Sequence, residues 1–307
     1  MKKVLIATEK PFAPVALKQI AQLLEEAGYE VRVLEKYTSK LELMEAVREV
    51  HALIVRSDIV DRQVLEAAPE LKVVVRAGAG FDNLDLATCT EKGVVAMNTP
   101  GQNSNAVAEL AMGMMIFMAR GQFKGGAGSE LKGKTIGVYG CGNIGRRVAK
   151  ISQAFGMKAV ALDPCVTKVS MEPYEVMVVK NVDELFSTSH YLSLHIPLNE
   201  KTRQSVNFEM MNKMPKGATL VNTARKEVID EQGLIQMFEQ RPDFKYISDI
   251  APACHEELTA RFDVRYYSTP KKQGAETAEA NFNAGVAAAE QIKAFFNDND
   301  QTYRVNR

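Results

Sequence analysis

Short apolar runs alternate along the chain with stretches of helical spacing, and the alternation persists from one end to the other. Runs at residues 4–7, 30–34, 52–55 and 71–75 read as strands. Between them, 14–27, 41–50 and 62–68 carry apolar stripes at helical spacing. The second half repeats the pattern, with strands at 134–139, 158–162, 176–179, 191–194, 218–221, 246–248 and 264–268. Helical stretches fall at 148–155, 182–187, 208–213, 231–239 and 276–296. Strands alternating with helices predict parallel α/β sheets. The stretch at 105–119 stands apart because it is apolar nearly all round, with Met112, Met114, Met115 and Met118. A helix of that kind must be buried on most sides. Packing between domains or against a second subunit would bury it, and the subunit contact is the favoured expectation.

The run ending at Tyr139 delivers the chain into Gly140-Cys141-Gly142-Asn143-Ile144-Gly145. This Gly-x-Gly-x-x-Gly pattern lies between a strand and a helix. The first glycine permits a tight turn, the second lets a pyrophosphate approach the backbone, and the third lets helix and strand pack closely. The helix N-terminus then presents N–H groups and a positive dipole end to the phosphates. The next strand ends in Asp163, which would accept hydrogen bonds from ribose hydroxyls and repel a 2′-phosphate. Strand, glycines, helix, strand and acid in that order predict binding of NAD in preference to NADP.

Directly after another strand stands Arg76-Ala77-Gly78-Ala79-Gly80-Phe81-Asp82-Asn83. Small residues there expose backbone N–H groups, and the choice is between an anion-binding nest and an ordinary glycine turn. Several later strands end in polar or charged residues: His195, Asn222 to Arg225, Asp249, and Thr269 to Gly274. In open α/β sheets ligands sit outside the carboxyl ends of strands.

The chain has 307 residues, enough for about two domains. Its 38 basic and 38 acidic residues cancel, which gives no reason to expect a nucleic-acid or membrane-surface partner. No apolar stretch reaches the ~20 residues of a membrane helix. An acid at Glu9 comes too soon for a signal peptide. The four cysteines, Cys89, Cys141, Cys165 and Cys254, lack metal-site spacing. Reduced thiols in a cytoplasmic protein without a metal are the expectation.

These blocks resemble the D-2-hydroxyacid dehydrogenase family. The resemblance runs through Arg56-Ser57, Arg76 to Asn83, 98–109, 134–164, 193–198, Asn222-Thr223-Ala224-Arg225 and 269–280. It is greatest toward the branch that oxidises 3-phosphoglycerate, in a short form without a regulatory extension. The resemblance implies two doubly wound parallel-sheet domains. A Rossmann-type nucleotide domain at 99–281 would be inserted in a flavodoxin-like substrate domain at 1–98 and 282–307. It implies a homodimer through the 105–119 helix, NAD as cofactor and a small phosphorylated hydroxy acid as substrate, at the entry to serine biosynthesis. Arg225 is then the catalytic arginine that binds and polarises the substrate. Backbone groups of Ala77, Gly78, Ala79 and Gly80 would hold the carboxylate, with Arg56 and Asn103 as candidates for the phosphate end. Around the cofactor the resemblance places Asn143 and Ile144 at the pyrophosphate, His195 and Pro197 at adenine, and Ala224 and Asp249 near nicotinamide. Pro164, Thr223 and Gly274 complete that set.

Two positions depart from the family. Its usual histidine after Thr-Pro is Lys271 here, and its usual glutamate after the strand-end aspartate is Cys254. Lys271 is therefore the expected acid–base residue, with Lys272 and His255 as rivals and burial as the expected means of tuning it. Glyoxylate or hydroxypyruvate reduction, and a decayed NAD(H)-binding sensor, are the alternative activities.

Overall fold

A computed structural model describes residues 1–306 apart from 167–170 and 172–173. The chain divides into two compact units, Met1–Asn103 with Thr277–Arg307, and Ser104–Glu276. Boundaries expected at 98/99 and 281/282 thus fall at 103/104 and 276/277. The first shift has a local cause: the Thr99 N–H donates to Gly78 O at 3.0 Å, tying the chain after the last strand to the first unit.

In the first unit, β1 (Lys3–Thr8), α1 (Pro14–Glu26), β2 (Glu30–Glu35), α2 (Lys40–Ala46), β3 (Ala52–Val55), α3 (Arg62–Glu66), β4 (Val73–Arg76), α4 (Leu86–Glu91) and β5 (Val95–Asn98) follow in turn. Its sheet has the order β2-β1-β3-β4-β5, all parallel. Successive residues serve opposite faces, as a strand's period of two requires. Val4, Ile6, Ile54, Val73 and Val75 pack with α1, while Leu5, Leu53, Val55 and Val74 pack with Leu43, Val64 and Leu65. The chain's C-terminal segment covers the β5 edge. Asn306 accepts from Ala96 N at 2.8 Å and donates to Val94 O at 2.9 Å, so this edge does not stay open to pairing.

The second unit begins with α5 (Ser104–Ala119) and continues through β6 (Thr135–Tyr139), α6 (Asn143–Ala154), β7 (Lys158–Leu162), β8 (Met177–Val178), α7 (Val182–Thr188) and β9 (Tyr191–Leu194). After these come α8 (Phe208–Asn212), β10 (Thr219–Asn222), α9 (Glu231–Gln240), β11 (Lys245–Ser248), α10 (His255–Phe262) and β12 (Tyr266–Ser268). The parallel order β12-β11-β10-β9-β6-β7-β8 reverses direction between β6 and β9. That reversal is the point where open α/β sheets bind ligands. Helix α11 (Ala278–Asp298) returns to the first unit, packing Ala284, Ala288 and Ile292 on its sheet.

The apolar helix α5 finds most of its burial inside its own unit, against α6, β10 and β11. Its methionines are therefore largely explained without a partner chain. The side that remains partly or fully exposed carries Ala106, Leu110, Gly113, Ile116 and Phe117 together with the polar Asn105 and Glu109.

Candidate active site

At the end of β6, Gly140 turns the chain at φ +88°, and a Cβ there would meet the His195 carbonyl carbon at 2.7 Å. A Cβ at Gly145 would run into Gly140 O and into Val138 at 2.8 Å, so helix α6 can lie this close only over glycine. Gly142 differs. A Cβ there would meet nothing within 4 Å, so the protein's own packing does not demand glycine at that position. Gly142 is also the N-cap of α6 and supplies no side-chain cap to the helix N–H groups. Helix N–H groups without a side-chain cap, beside a residue lacking a side chain, suit a pyrophosphate.

Asp163 stands against this loop. Its Oδ2 accepts the Cys141 N–H at 2.7 Å and its Oδ1 the Cys165 N–H at 2.8 Å. A carboxylate has about four lone-pair sites, so each oxygen keeps capacity for a ribose hydroxyl. Across the β6/β9 reversal, His195 N donates to Tyr139 O at 2.7 Å and carries the ladder past the strand end. Its ring nitrogens stand 2.9 Å from Ser193 Oγ and 3.5 Å from Thr223 Oγ1. Burial pushes the imidazole down to about 3, so His195 is neutral at physiological pH and has no charge to offer a phosphate. Pro197 accepts from Thr202 Oγ1 at 2.6 Å, Ile144 packs into the core, and Pro164 is exposed beside Asp163.

At the end of β10, Asn222 shapes the turn that launches Arg225. Its Oδ1 accepts the Ala224 N–H at 3.0 Å, and its Nδ2 donates to Arg225 O at 3.0 Å and to Tyr246 Oη at 3.3 Å. Arg225 donates through Nη1 to Ala224 O at 2.9 Å and is half-buried. Asp249, at the end of β11, is fully buried and spent on the next loop. Its Oδ1 accepts from Thr269 Oγ1 at 3.0 Å and Gln273 N at 2.8 Å, while Oδ2 accepts from Gly274 N at 2.7 Å. That carboxylate therefore sets the shape of the segment carrying Lys271 and Lys272. Both lysines are exposed, which corrects the expectation that burial tunes Lys271. Asp249 engages Thr269, Gln273 and Gly274 of this segment, and neither lysine takes part in those bonds.

The departure at Cys254 has a structural sequel. Glu231, in the first turn of α9, accepts from Ala253 N at 2.8 Å and Cys254 N at 3.0 Å. A carboxylate thus stands at this place after all, brought from another element. Burial, with Glu231 second, pushes the Cys254 thiol up to about 12 and leaves it protonated. The rival base His255 has Nδ1 only 2.7 Å from Tyr266 Oη, so one ring nitrogen is committed.

In the first unit, the Ala77 N–H donates to Val55 O at 2.8 Å and the Gly78 N–H to Arg76 O at 2.8 Å. The N–H groups of Ala79 and Gly80 have no such acceptor among the described residues, so the anion-binding part of the loop narrows to those two. Asn98 Nδ2 holds Ala79 O at 2.6 Å. The Arg76 guanidinium lies over Gly78 and donates through Nε to Arg56 O at 2.8 Å. Arg56 donates to Lys10 O at 3.0 Å, Pro11 O at 3.2 Å and Asn281 Oδ1 at 2.6 Å. Asn103 Oδ1 is buried without a hydrogen-bond partner among the described residues. Sequence reasoning missed the Arg76 side chain, although an arginine closing a buried strand beside small residues was a legible signal. It also missed Glu231, for which no local signal exists. Among the described residues no group of three or more side chains could hold a metal ion.

Residues 106–280 match the D-isomer specific 2-hydroxyacid dehydrogenase, NAD binding domain. The chain therefore belongs to the NAD-dependent D-2-hydroxyacid dehydrogenases, and its cofactor is NAD. Among its relatives is a 3-phosphoglycerate dehydrogenase of Entamoeba histolytica, solved with bound NAD+. It is 45% identical, has a TM-score of 0.91, and aligns over 100% of this chain and 99% of that one. The hydroxypyruvate reductase of Thermotoga maritima is 37% identical over 90% of this chain and 94% of its own length. The D-3-phosphoglycerate dehydrogenase of Methanocaldococcus jannaschii is 39% identical over 89% of this chain and 54% of its own. The chain thus spans about half the length of several curated relatives that it matches. No described helix is long and apolar enough to cross a membrane.

Proposed function

We propose that this chain oxidises 3-phospho-D-glycerate to 3-phosphohydroxypyruvate, the entry to serine biosynthesis, in the cytoplasm. The observation that supports the substrate is the gathering of N–H groups and positive charge at the strand ends of the first unit. The two N–H groups of Ala79 and Gly80 suit one carboxylate, and Arg56 and Arg76 stand beside them at the ends of β3 and β4. Their two positive charges, held in place by the protein's own acceptors, favour a second anionic group such as a phosphate beside the carboxylate. NAD, when bound at the glycine loop, supplies the hydride acceptor. Arg225 binds the carboxylate and polarises the C2 oxygen, and Lys271 is the acid–base residue that exchanges the hydroxyl proton as hydride passes between C2 and NAD. Asp163 fixes the adenosine ribose and excludes a 2′-phosphate. The Thermotoga maritima relative, which this chain nearly spans, favours hydroxypyruvate reduction as the second reading.

A panel of 3-phosphohydroxypyruvate, hydroxypyruvate and glyoxylate, each with NADH and NADPH, decides between them. The expected result is a kcat/KM for the phosphorylated acid at least about 10-fold above the others, the scale of one charge-assisted hydrogen bond. NADH should serve well and NADPH poorly. A preference for hydroxypyruvate or glyoxylate would establish the second reading, and NADH binding without turnover would mean a sensor.

The reading includes a homodimer through the outer side of α5. Phe117 on that side meets Phe123 and Tyr267 edge-on, with ring centroids 5.4 and 4.9 Å away, and Phe123 is 67% exposed. The exposed Phe123 and Tyr267, with the half-buried Phe117 between them, form an apolar patch that suits an interaction face. Equilibrium sedimentation should give twice the chain mass, and Phe123→Asp should shift it toward monomer. A wild-type monomer at micromolar concentration would overturn this.

A further inference from the structure

In the segment Arg56-Ser57-Asp58-Ile59 the usual polarity is inverted: Asp58 is 3% exposed, whereas Ile59 is 66% exposed. A buried carboxylate is costly and persists only where donors replace its water. Here Asp58 Oδ1 accepts from Glu9 N and from Tyr37 Oη, each at 2.7 Å, and Oδ2 accepts from Arg56 N at 3.0 Å. Its own carbonyl takes Asn83 Nδ2 at 2.7 Å. Burial, reinforced by Asp58, holds the Tyr37 phenol protonated, so it stays a donor.

These partners come from just beyond β1 and β2, from the end of β3, and from beyond β4. Their meeting point is where the order β2-β1-β3-β4-β5 reverses, between β1 and β3. Ligands of doubly wound sheets bind outside the strand ends at such a reversal. Asp58 also governs both ends of Arg56. It fixes the arginine's backbone directly. Through Glu9 it fixes the segment whose Lys10 and Pro11 carbonyls receive the guanidinium. Thr8 Oγ1, donating to Lys10 O at 2.5 Å, ties that segment further.

We propose that Asp58 is the positioning residue of the first unit's anion site, aligning Arg56 on the phosphate of the substrate. The proposal rests on the reading of the substrate as a phosphorylated acid. Asp58 touches neither substrate nor cofactor in this role. Its effect is on where the guanidinium stands.

The test uses the full chain with NADH and compares wild type, Asp58→Asn and Tyr37→Phe on 3-phosphohydroxypyruvate and hydroxypyruvate. Asp58→Asn keeps the shape but turns one acceptor oxygen into a donor facing other donors. Its KM for the phosphorylated acid should rise about 10- to 100-fold, the scale of a lost hydrogen bond to a charged group. Its kcat at saturation, its KM for hydroxypyruvate and its NADH affinity should each stay within about threefold. Tyr37→Phe removes one donor and should raise the same KM alone by a smaller factor. If Asp58→Asn does not fold, Tyr37→Phe carries the test. Equal rises in both KM values, a fall in kcat instead, or no change would overturn the positioning role. A wild type indifferent to the phosphate would instead overturn the substrate reading, and this proposal with it.

Discussion

Replacing Lys271 with alanine is expected to lower kcat about 10²- to 10⁴-fold, the scale of losing a general acid–base group. Binding of NADH should be unaffected. The glycine loop, Asp163 and His195 belong to elements remote in sequence from the 269–274 loop. That loop is shaped from within by Asp249, through Thr269, Gln273 and Gly274 rather than through the lysine. Alanine at 271 therefore leaves the segment's framework in place. The structure also sets the rivals lower. His255 has a ring nitrogen committed to Tyr266 Oη at 2.7 Å, and His255→Ala should cost under about tenfold. Lys272→Ala should likewise cost little. Stopped-flow turnover alongside NADH fluorescence titration separates chemistry from binding. Near-normal turnover in Lys271→Ala would remove it from the mechanism, and a large loss in His255→Ala would hand it the role.

Most of the two sheets was legible in the sequence because parallel strands buried on both faces read as continuous apolar runs. The 4–7 and 52–55 runs are such cases, and both are core strands. The reading passed over strand β5, although Val95, Ala96 and Met97 form a buried apolar run of the same length as β3, and it passed over short helices. Helix α4 is six residues long and starts from an Asp85 cap, and α10 follows a proline with two glutamates in its first turn. Helix α5 was legible as buried, yet its cover was not, since periodicity reports that a face is hidden and says nothing of what hides it. The candidate site divides the same way. Gly140 and Gly145 have steric reasons that a motif encodes, and the structure supplies them as close approaches to His195 and Val138. Asp249 was legible as a strand-end acid, although its hydrogen bonds go to the following loop. Glu231 beside Cys254, and Asp58 beneath Arg56, are contacts between segments far apart in sequence or against the expected polarity. No local pattern announces either.

Arg225→Lys is expected to reduce kcat/KM about 10²- to 10³-fold, the cost of removing a preorganised donor at developing charge. Lysine keeps the positive charge and loses the planar fork that binds a carboxylate and an adjacent oxygen together. The scaffold should survive, because Asn222 fixes this turn through backbone groups, Ala224 N at 3.0 Å and Arg225 O at 3.0 Å. Those bonds are the same for any residue at 225. Most of the loss should fall on kcat, since the C2 oxygen's charge changes during reaction while the carboxylate's does not. Tyr246→Phe offers a graded companion. It deletes the hydroxyl that meets Asn222 Nδ2 at 3.3 Å and should cost a few-fold without altering NADH binding. Steady-state kinetics on the preferred keto acid, with NADH titration on the same preparations, reads both. A loss below about threefold in Arg225→Lys, or a loss confined to KM, would mean that charge alone is wanted at this position and that the oxygen is polarised elsewhere.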